Sequence, residues 1–341
     1  MTIVTCVRCA DVTERPPALR ARDLLAARDL GDDLDPERYA AIQAAMWRHP
    51  LSRAALRVWV LEHDGAVVAT FDTLDVTVRL RDAAGAALTR TGACIASGFV
   101  APEHRLAGHG RHLAGELSRR LAREGHALVY GVVETTMKVY REIDAGTSAL
   151  TEVAWPAEPV LEVIPRRPPS DPLALADHAV AAAGSVGGGG GVGGDVPEQL
   201  RDLAAWTDPP PPAGLDILVT AEMLDWRLER VALERPQDRG RPIGARLGDA
   251  MVVWASAPER AALELLHLRG DARVLAALVD AARREAAARG LRHAVAWETP
   301  TLAPHLPPGE RRRVDALLGV RTFHPDLVAA AWQDAQIGHY F

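Results

Sequence analysis

The chain has 341 residues, more than a single hydrophobic core usually contains, so its length predicts two domains. Hydrophobic residues make up 48% and charged residues 25% of the chain. This balance is typical of folded proteins and excludes a wholly disordered chain. The 39 lysines and arginines are outnumbered by 45 aspartates and glutamates. Because nucleic-acid-binding proteins usually carry a basic excess, this charge argues against nucleic acid as a partner.

The sequence shows no feature of membrane insertion or secretion. No apolar run approaches the ~20 residues that a membrane-spanning helix needs, and the first residues lack the basic and apolar segments of a signal peptide. The three cysteines, Cys6, Cys9 and Cys94, are too few for a disulfide framework. We therefore expect a cytoplasmic protein in a reducing compartment, without a membrane partner.

A proline- and glycine-rich stretch divides the chain. Residues 166–169 read R-R-P-P and residues 184–194 read G-S-V-G-G-G-G-G-V-G-G, a composition that buries too little apolar surface to become ordered. The glycine run has no following lysine, so it does not match a phosphate-binding P-loop. We therefore predict a first domain over residues 1–165, a flexible linker over 166–195 and a second domain over 196–341.

Strands and helices alternate along the first domain. The spacing of apolar residues predicts, in chain order, a strand at 3–8, helices at 18–29 and 36–47, a hairpin of 56–62 with 66–71, a hairpin of 76–80 with 88–100, a helix at 106–124, a strand at 127–133, a short helix at 135–143 and a strand at 160–164. The first hairpin turns at Asp64-Gly65, a dipeptide favoured in tight turns. The sequence therefore predicts a mixed α/β domain.

The second domain repeats part of this order. The predicted elements are helices at 198–206 and 220–233, strands at 250–256 and 262–269, a helix at 272–289, a strand at 291–297 and a last helix at 311–318. Gly290 follows the helix at 272–289 and is a good C-terminal capping residue. The order hairpin, helix, strand, helix predicts a second α/β domain of related fold.

One glycine-containing segment has the character of an anion-binding loop. It reads Arg105-Leu106-Ala107-Gly108-His109-Gly110 between a predicted strand and a predicted amphipathic helix. Glycines let the backbone approach a ligand closely, and the unpaired N–H groups at a helix N-terminus bind phosphates. The full dinucleotide-binding glycine pattern, with its acidic residue about 20 positions later, is absent. The segment therefore predicts a diphosphate site.

This segment resembles the acetyl-CoA loop of the GNAT superfamily of N-acetyltransferases, whose pattern is [RQ]-x-x-G-x-[GA]. The resemblance implies a mixed central sheet with splayed parallel strands, flanked by helices, and a second, divergent GNAT-like α/β domain without the cofactor loop. It also implies that acetyl-CoA is the co-substrate and that no metal is needed. The residues then expected to bind acetyl-CoA are Phe99, Val100, Arg105, Leu106, Ala107, Gly108, His109, Gly110 and Arg111.

The same resemblance implies one catalytic residue, and the end of the predicted strand at 127–133 suggests a second candidate. Tyr140 stands where the family commonly has a tyrosine that protonates the thiolate leaving group, and its phenol pKa near 10 suits that role. Glu134 is our candidate for the base that removes the acceptor's proton, although a solvated loop carboxylate is an equal interpretation. The terminal carboxylate of Phe341 is a further candidate for this base.

A narrower resemblance concerns the fungal lysine N6-acetyltransferases of lysine catabolism, through residues 95–110, 129–140 and, weakly, 329–332. It implies free L-lysine or a related amino acid as the acceptor, which requires an arginine for the carboxylate and an acidic residue for the α-ammonium. An aminoglycoside or polyamine acetyltransferase is the first alternative, favoured by an acidic cleft. A non-catalytic acyl-CoA-binding protein is the second. The sequence leaves the oligomeric state open.

Two groups of potential metal ligands are not interpreted as metal sites. Cys6 and Cys9 lie on opposite faces of a predicted strand, and zinc sites usually need four ligands. His104, His109 and His112 have no accompanying acidic ligands, so we interpret them as solvated or as neighbours of a bound phosphate.

Overall fold

We analysed a computed structural model of the chain. It describes residues 2–31, 34–81, 86–133, 146–155, 162–165, 215–257, 260–299, 302–323 and 332–334. The described residues form one mixed sheet of 14 strands, flanked by helices. Among them, no helix is both long and apolar enough to cross a bilayer.

The first half of the sheet contains five neighbouring strands. These are β1 (Thr2–Arg8), β2 (Leu56–His63), β3 (Ala66–Arg81), β4 (Ala87–Val100) and β5 (Leu128–Val133). β1 to β4 are antiparallel, whereas β5 is parallel to β4. The two predicted hairpins are confirmed, but their strands at 66–71 and 76–80 are one continuous strand, β3.

The described residues of this half include four α-helices. They are α1 (Pro17–Leu30), α2 (Pro36–Arg48), α3 (Pro50–Ala55) and α4 (His109–Arg123). The carboxylate of Asp35 caps α2 by accepting a hydrogen bond from the Arg38 N–H at 2.9 Å, a common way to satisfy the first N–H groups of a helix. The sequence analysis missed α3, whose six residues are too few to show helical periodicity.

The second half repeats the same arrangement. Its strands are β9 (Pro242–Leu247), β10 (Ala250–Ala257), β11 (Ala262–Arg269) and β12 (His293–Trp297), and its helices are α5 (Ala221–Glu234) and α6 (Ala272–Ala288). β9, β10 and β11 are antiparallel, α6 follows β11, and β12 is parallel to β11. The related second α/β unit is therefore confirmed.

The two halves exchange strands where they meet. β13 (Glu310–Thr322) lies between β5 and β6 (Gly146–Trp155), and β6 in turn pairs with β12. The predicted helix at 311–318 is therefore wrong. The run of arginine, alanine and leucine there favours a helix locally, but β13 is hydrogen-bonded to strands on both sides, and those pairings override local propensity.

Three short strands complete the described sheet. β7 (Glu162–Pro165) pairs with β9, while β8 (Leu215–Ile217) joins β3 to β14 (Trp332–Asp334). The predicted helices at 135–143 and 198–206 and the predicted linker at 166–195 lie outside the described residues.

Different helices cover the two faces of the first half. Leu113, Leu117 and Leu121 of α4 are fully buried against Trp59 and Leu61, each contributing about 1.5–3 kcal/mol relative to exposure. The opposite face is covered by α1, α2, α3 and α5, and one hydrophobic cluster there joins residues of both halves. The two halves thus share a core.

Candidate acetyl-CoA loop and acceptor cavity

β4 and β5 separate soon after they meet. They pair only at Ala93 with Val129 and at Cys94 with Tyr130. β4 then continues for six residues to Val100, while β5 pairs with β13 on its other side. The described part of β4 beyond Cys94 is consequently bonded to β3 alone. This is the splayed pair of parallel strands that the sequence predicted.

A bulge lies in β4 beside this gap. Thr70 pairs with Phe99 and Asp72 with Ala96, so β4 has two residues, Ser97 and Gly98, where β3 has one. Ser97 has a left-handed φ of 49°, and bulges of this kind often redirect side chains next to functional sites. A Cβ on Gly98 would lie 2.5 Å from the Phe71 ring, so the bulge requires glycine there.

The loop after β4 presents its backbone to solvent. α4 begins at His109 rather than at 106, which leaves Leu106, Ala107 and Gly108 in the loop. Leu106 and Gly108 have left-handed φ values of 65° and 85°, and the Leu106 side chain is fully exposed. In the described part of the chain, the N–H groups of residues 106–110 make no hydrogen bond of good geometry to a backbone carbonyl. They form a compact group of available donors.

The two glycines of the loop have different roles. A Cβ on Gly110 would lie 3.1 Å from Cγ2 of Val100, so Gly110 lets α4 pack closely on the end of β4. A Cβ on Gly108 would meet nothing within 4 Å. Gly108 is therefore required for its backbone conformation, and the space beside it is open to a ligand.

Arg105 ties the loop to its surroundings. Its Nε donates to the carbonyl oxygen of Val100 at 3.1 Å, and its Nη2 donates to the carboxylate of Asp29 at the end of α1. Since these bonds engage the guanidinium, its main effect is to position the loop. The side chain of Arg111 is exposed on the first turn of α4.

A small cavity lies next to the bulge, on the face of the sheet opposite to the one that α4 covers. Its walls come from α2, β3, β4 and α5 and include Gln43, Asp72, Ala96, Ser97, Trp226 and Arg230. About 20 Å³ is open to the centre of a water molecule, which is room for one or two waters. Both halves of the chain therefore contribute to this cavity.

A buried charge network borders the cavity. Arg15 binds Asp23 through two hydrogen bonds of 2.5 and 2.9 Å, and Arg22 binds Asp23 at 2.9 Å and Asp72 at 3.2 Å. Arg22 also donates to Thr70 at 2.6 Å. Burial raises the pKa of Asp72, although the positive charges of Arg22 and Arg15 oppose the effect.

The fold that carries this open loop and splayed strand pair is similar to that of solved structures. A probable N-acyltransferase from Enterococcus faecalis V583 superposes with a TM-score of 0.54 at 13% identity, covering 97% of this chain and 74% of that one. A GCN5-related N-acetyltransferase from Kribbella flavida gives 0.50 at 16% identity, covering 96% and 74%. The chain has the GCN5-related N-acetyltransferase (GNAT) fold. No protein-family model and no curated protein matches the sequence.

Within this GNAT fold, the predicted acetyl-CoA-binding residues from Phe99 to Arg111 lie together at the end of β4 and the start of α4. The predicted catalytic residues Glu134 and Tyr140, and the terminal Phe341, lie outside the described residues. Their roles stay predictions, as does the narrower resemblance to fungal lysine acetyltransferases. The sequence did not predict the cavity, although Asp72, a carboxylate within the apolar pattern of β3, could have indicated it.

The second GNAT-like half has no open loop at the matching place. There Asp271 caps α6 and accepts hydrogen bonds from the N–H groups of Arg273 and Val274 at 3.0 and 3.1 Å. A Cβ on Gly270 would lie 2.7 Å from that of Ala250, so this turn is tightly packed. The helix N-terminus is already satisfied by a carboxylate and offers no comparable phosphate site.

The histidines near the loop lie close together. The ring centroids of His63, His104 and His109 are 5.3 to 6.4 Å apart, and burial together with the neighbouring histidines lowers the pKa of His109. Among the described residues, no group of three or more acidic, histidine or cysteine side chains is arranged to hold a metal ion. Burial raises the pKa of Cys9 to about 11, so that thiol is unreactive.

Proposed function

We propose that the chain is an acetyl-CoA-dependent N-acetyltransferase that transfers the acetyl group directly to a primary amine of a small molecule. The observation that carries this proposal is the group of available N–H donors at residues 106–110, next to the gap between β4 and β5. A diphosphate bound there would direct the rest of coenzyme A into the gap.

The backbone of β4 supplies the second part of the co-substrate site. Phe99 and Val100 are hydrogen-bonded to β3 on one side, and the side facing the gap is available for the pantetheine amides. The thioester would then reach the bulge at Ser97, which also lines the cavity. Acetyl-CoA and the acceptor would thus approach the bulge from opposite faces of the sheet.

The reaction needs a base, an acid and a place for the amine. The acceptor nitrogen attacks the thioester carbonyl, the carbon–sulfur bond breaks, and the thiolate takes up a proton. We retain Tyr140 as the predicted acid and Glu134 as one candidate base. The contribution of Trp226 and Arg230 to the cavity supports a role for the second half in acceptor binding.

The charges around the cavity favour an amino acid as the acceptor. Its walls include the guanidinium groups of Arg15 and Arg230 and one carboxylate, that of Asp72. An aminoglycoside or a polyamine, which carries several positive charges, would be better matched by an excess of carboxylates. Free L-lysine or a related amino acid is therefore the acceptor class that we favour.

The test measures release of coenzyme A and identifies the product by mass spectrometry. The purified chain is incubated with acetyl-CoA and a panel containing amino acids, polyamines and aminoglycosides. We expect acetyl-CoA binding and acetylation of a primary amine, with L-lysine or a related amino acid preferred. Binding without turnover of any amine would favour a non-catalytic acyl-CoA-binding protein, and absence of binding would refute the proposal.

A further inference from the structure

One carboxylate oxygen of Asp72 accepts no hydrogen bond from the described residues. The residue is 6% exposed, and its Oδ1 accepts from Arg22 at 3.2 Å. Within the described residues, no hydrogen bond reaches Oδ2. Because Asp72 lines the cavity, this oxygen is available to a hydrogen-bond donor that enters it.

Two further polar groups near Asp72 are unsatisfied. Nε2 of Gln43, on the cavity wall, and Oη of Tyr39 are both buried, and neither has a hydrogen-bond partner in the part of the chain that the structure describes. Tyr39 and Asp72 are close enough for the carboxylate to affect the phenol's pKa, which burial raises. Native proteins leave few buried polar groups unpaired. These two unpaired groups, next to the open oxygen of Asp72, indicate a site that is completed by a polar ligand.

The size of the cavity restricts what can enter without rearrangement. Its 20 Å³ of open space matches one water-sized group, and a primary ammonium is such a group, with three N–H donors on one nitrogen. Ala96 and Ser97 form the wall at the bulge. A nitrogen held at Asp72 would therefore lie on the acceptor side of the bulge that borders the gap between β4 and β5.

This inference rests on the function proposed above. We propose that the acceptor's primary amine enters the cavity, hydrogen-bonds to Oδ2 of Asp72, and gives up its proton to that carboxylate. The entering ammonium transfers one proton to Asp72, and the neutral nitrogen then forms the bond to the thioester carbon. As the carbon–sulfur bond breaks, a second nitrogen proton passes to the thiolate by way of the predicted acid, Tyr140. The products are the acetylated amine, coenzyme A and protonated Asp72, which returns its proton to solvent.

The surroundings of Asp72 suit a proton acceptor. The charged or titratable groups facing it are Arg22 and Asp23 on α1, Arg15 before α1, Tyr39 on α2 and Arg230 on α5. Burial raises the carboxyl's pKa above its usual range, so the carboxylate holds a proton more strongly than an exposed one. A base whose pKa is closer to the working pH is more effective.

The experiment compares Asp72→Asn with Asp216→Asn. Asp216 of β8 has the same 6% exposure and pairs with Arg79 of β3 at 2.5 Å, but it does not line the cavity. We expect unchanged acetyl-CoA affinity in both variants. We also expect kcat/KM for L-lysine, or for the best amine of the panel, to fall about 10²- to 10⁴-fold only in Asp72→Asn, together with loss of the acidic limb of its pH profile.

Undiminished kcat/KM in a folded Asp72→Asn variant, or an equal loss in Asp216→Asn, would overturn the inference but leave the proposed function standing. Glu134→Gln is measured in parallel, and loss of the acidic limb in that variant alone would assign the base to Glu134 instead. Failure of the wild-type chain to bind acetyl-CoA would refute the proposed function itself.

A wild-type measurement covers the case in which Asp72→Asn does not fold. N6-Methyl-L-lysine has one methyl group more on its nitrogen than L-lysine, and the 20 Å³ of the cavity leaves little space for it beside the nitrogen. We expect kcat/KM to be about 10- to 200-fold lower for the methylated amine. Equal rates for the two amines would show that the nitrogen does not enter the cavity, as would the absence of any amine turnover by a chain that binds acetyl-CoA.

Discussion

Replacement of Gly108 by valine tests the assignment of the acetyl-CoA loop. Gly108 precedes α4 with a φ of +85°, a conformation that costs an L-residue about 1–2 kcal/mol and a β-branched residue more. The surrounding space is open, since a Cβ there would meet nothing within 4 Å. The valine side chain would therefore stand over the N–H donors, where we place the diphosphate.

The two effects add to a measurable loss of affinity. The strain of a valine at this left-handed φ favours other loop conformations, in which the N–H groups no longer point at the diphosphate. In the original conformation, the valine side chain excludes the phosphate. A combined cost of about 2.7 kcal/mol corresponds to a 100-fold weaker Kd for acetyl-CoA. We expect titration calorimetry to show a loss of about that size or larger in Gly108→Val.

Gly125, at the other end of the same helix, provides a matched control. Its φ is +87°, and a Cβ there also meets nothing within 4 Å, so valine causes the same strain in similarly open surroundings. α4 has 15 residues, which places the two glycines about 22 Å apart. Gly125→Val should lower the melting temperature but retain acetyl-CoA affinity. Wild-type affinity in Gly108→Val, or equal losses in both variants, would refute the loop assignment.

Three further predictions follow from the sequence and the fold. Tyr140→Phe should lower kcat more than KM, and steady-state kinetics equal to wild type would remove Tyr140 from the mechanism. Deletion of residues 195–341 removes β13 and α5. It should abolish amine acetylation and also stable folding, as measured by circular dichroism. A fully active truncated chain would contradict a shared core. Titration calorimetry should give one acetyl-CoA per chain, and a value of two would show that the loop before α6 also binds.

The acid stability of the protein should depend on Asp75. Burial raises the pKa of this carboxyl, but hydrogen bonds from His126 at 3.0 Å and Arg57 at 2.6 Å outweigh it and lower the pKa overall. A carboxyl whose folded pKa is lowered stabilises the fold above its unfolded pKa, near 4, and loses that contribution as the pH falls further. In Asp75→Asn, the free energy of unfolding should therefore depend less steeply on pH below about 4. An unchanged slope in denaturant titrations would contradict this.

Local patterns predicted those parts of the fold that form from neighbouring residues. The Asp64-Gly65 hairpin, the apolar stripe of α4 and the loop sequence from Arg105 to Gly110 each need only a short segment to be recognised. β13 needs partners that lie far away in sequence, because β5 precedes it by about 180 residues. No local property of residues 311–318 distinguishes such a strand from a helix.

The division of β3 into two predicted strands has a related cause. Asp72 and Asp75 interrupt the apolar pattern of this strand, and each is held by a distant residue: Arg22, 50 positions away, and His126, 51 positions away. A sequence without its partners cannot show that a carboxylate is paired and buried. The interruption in the pattern nevertheless marked the two positions where polar groups enter the core.

The two halves use one arrangement of strands and helices for different purposes. Before α4, Gly108 leaves the helix N-terminus open, whereas before α6 the carboxylate of Asp271 accepts from two of the N–H groups that a phosphate would need. A carboxylate in that place also repels phosphate, so we expect the second half not to bind coenzyme A. The second half supplies two other elements instead. α5 contributes Trp226 and Arg230 to the cavity wall. β13 lies against β5 at the open end of the splayed strands. On this reasoning, we expect the first half to bind the acetyl donor and both halves to shape the proposed acceptor site.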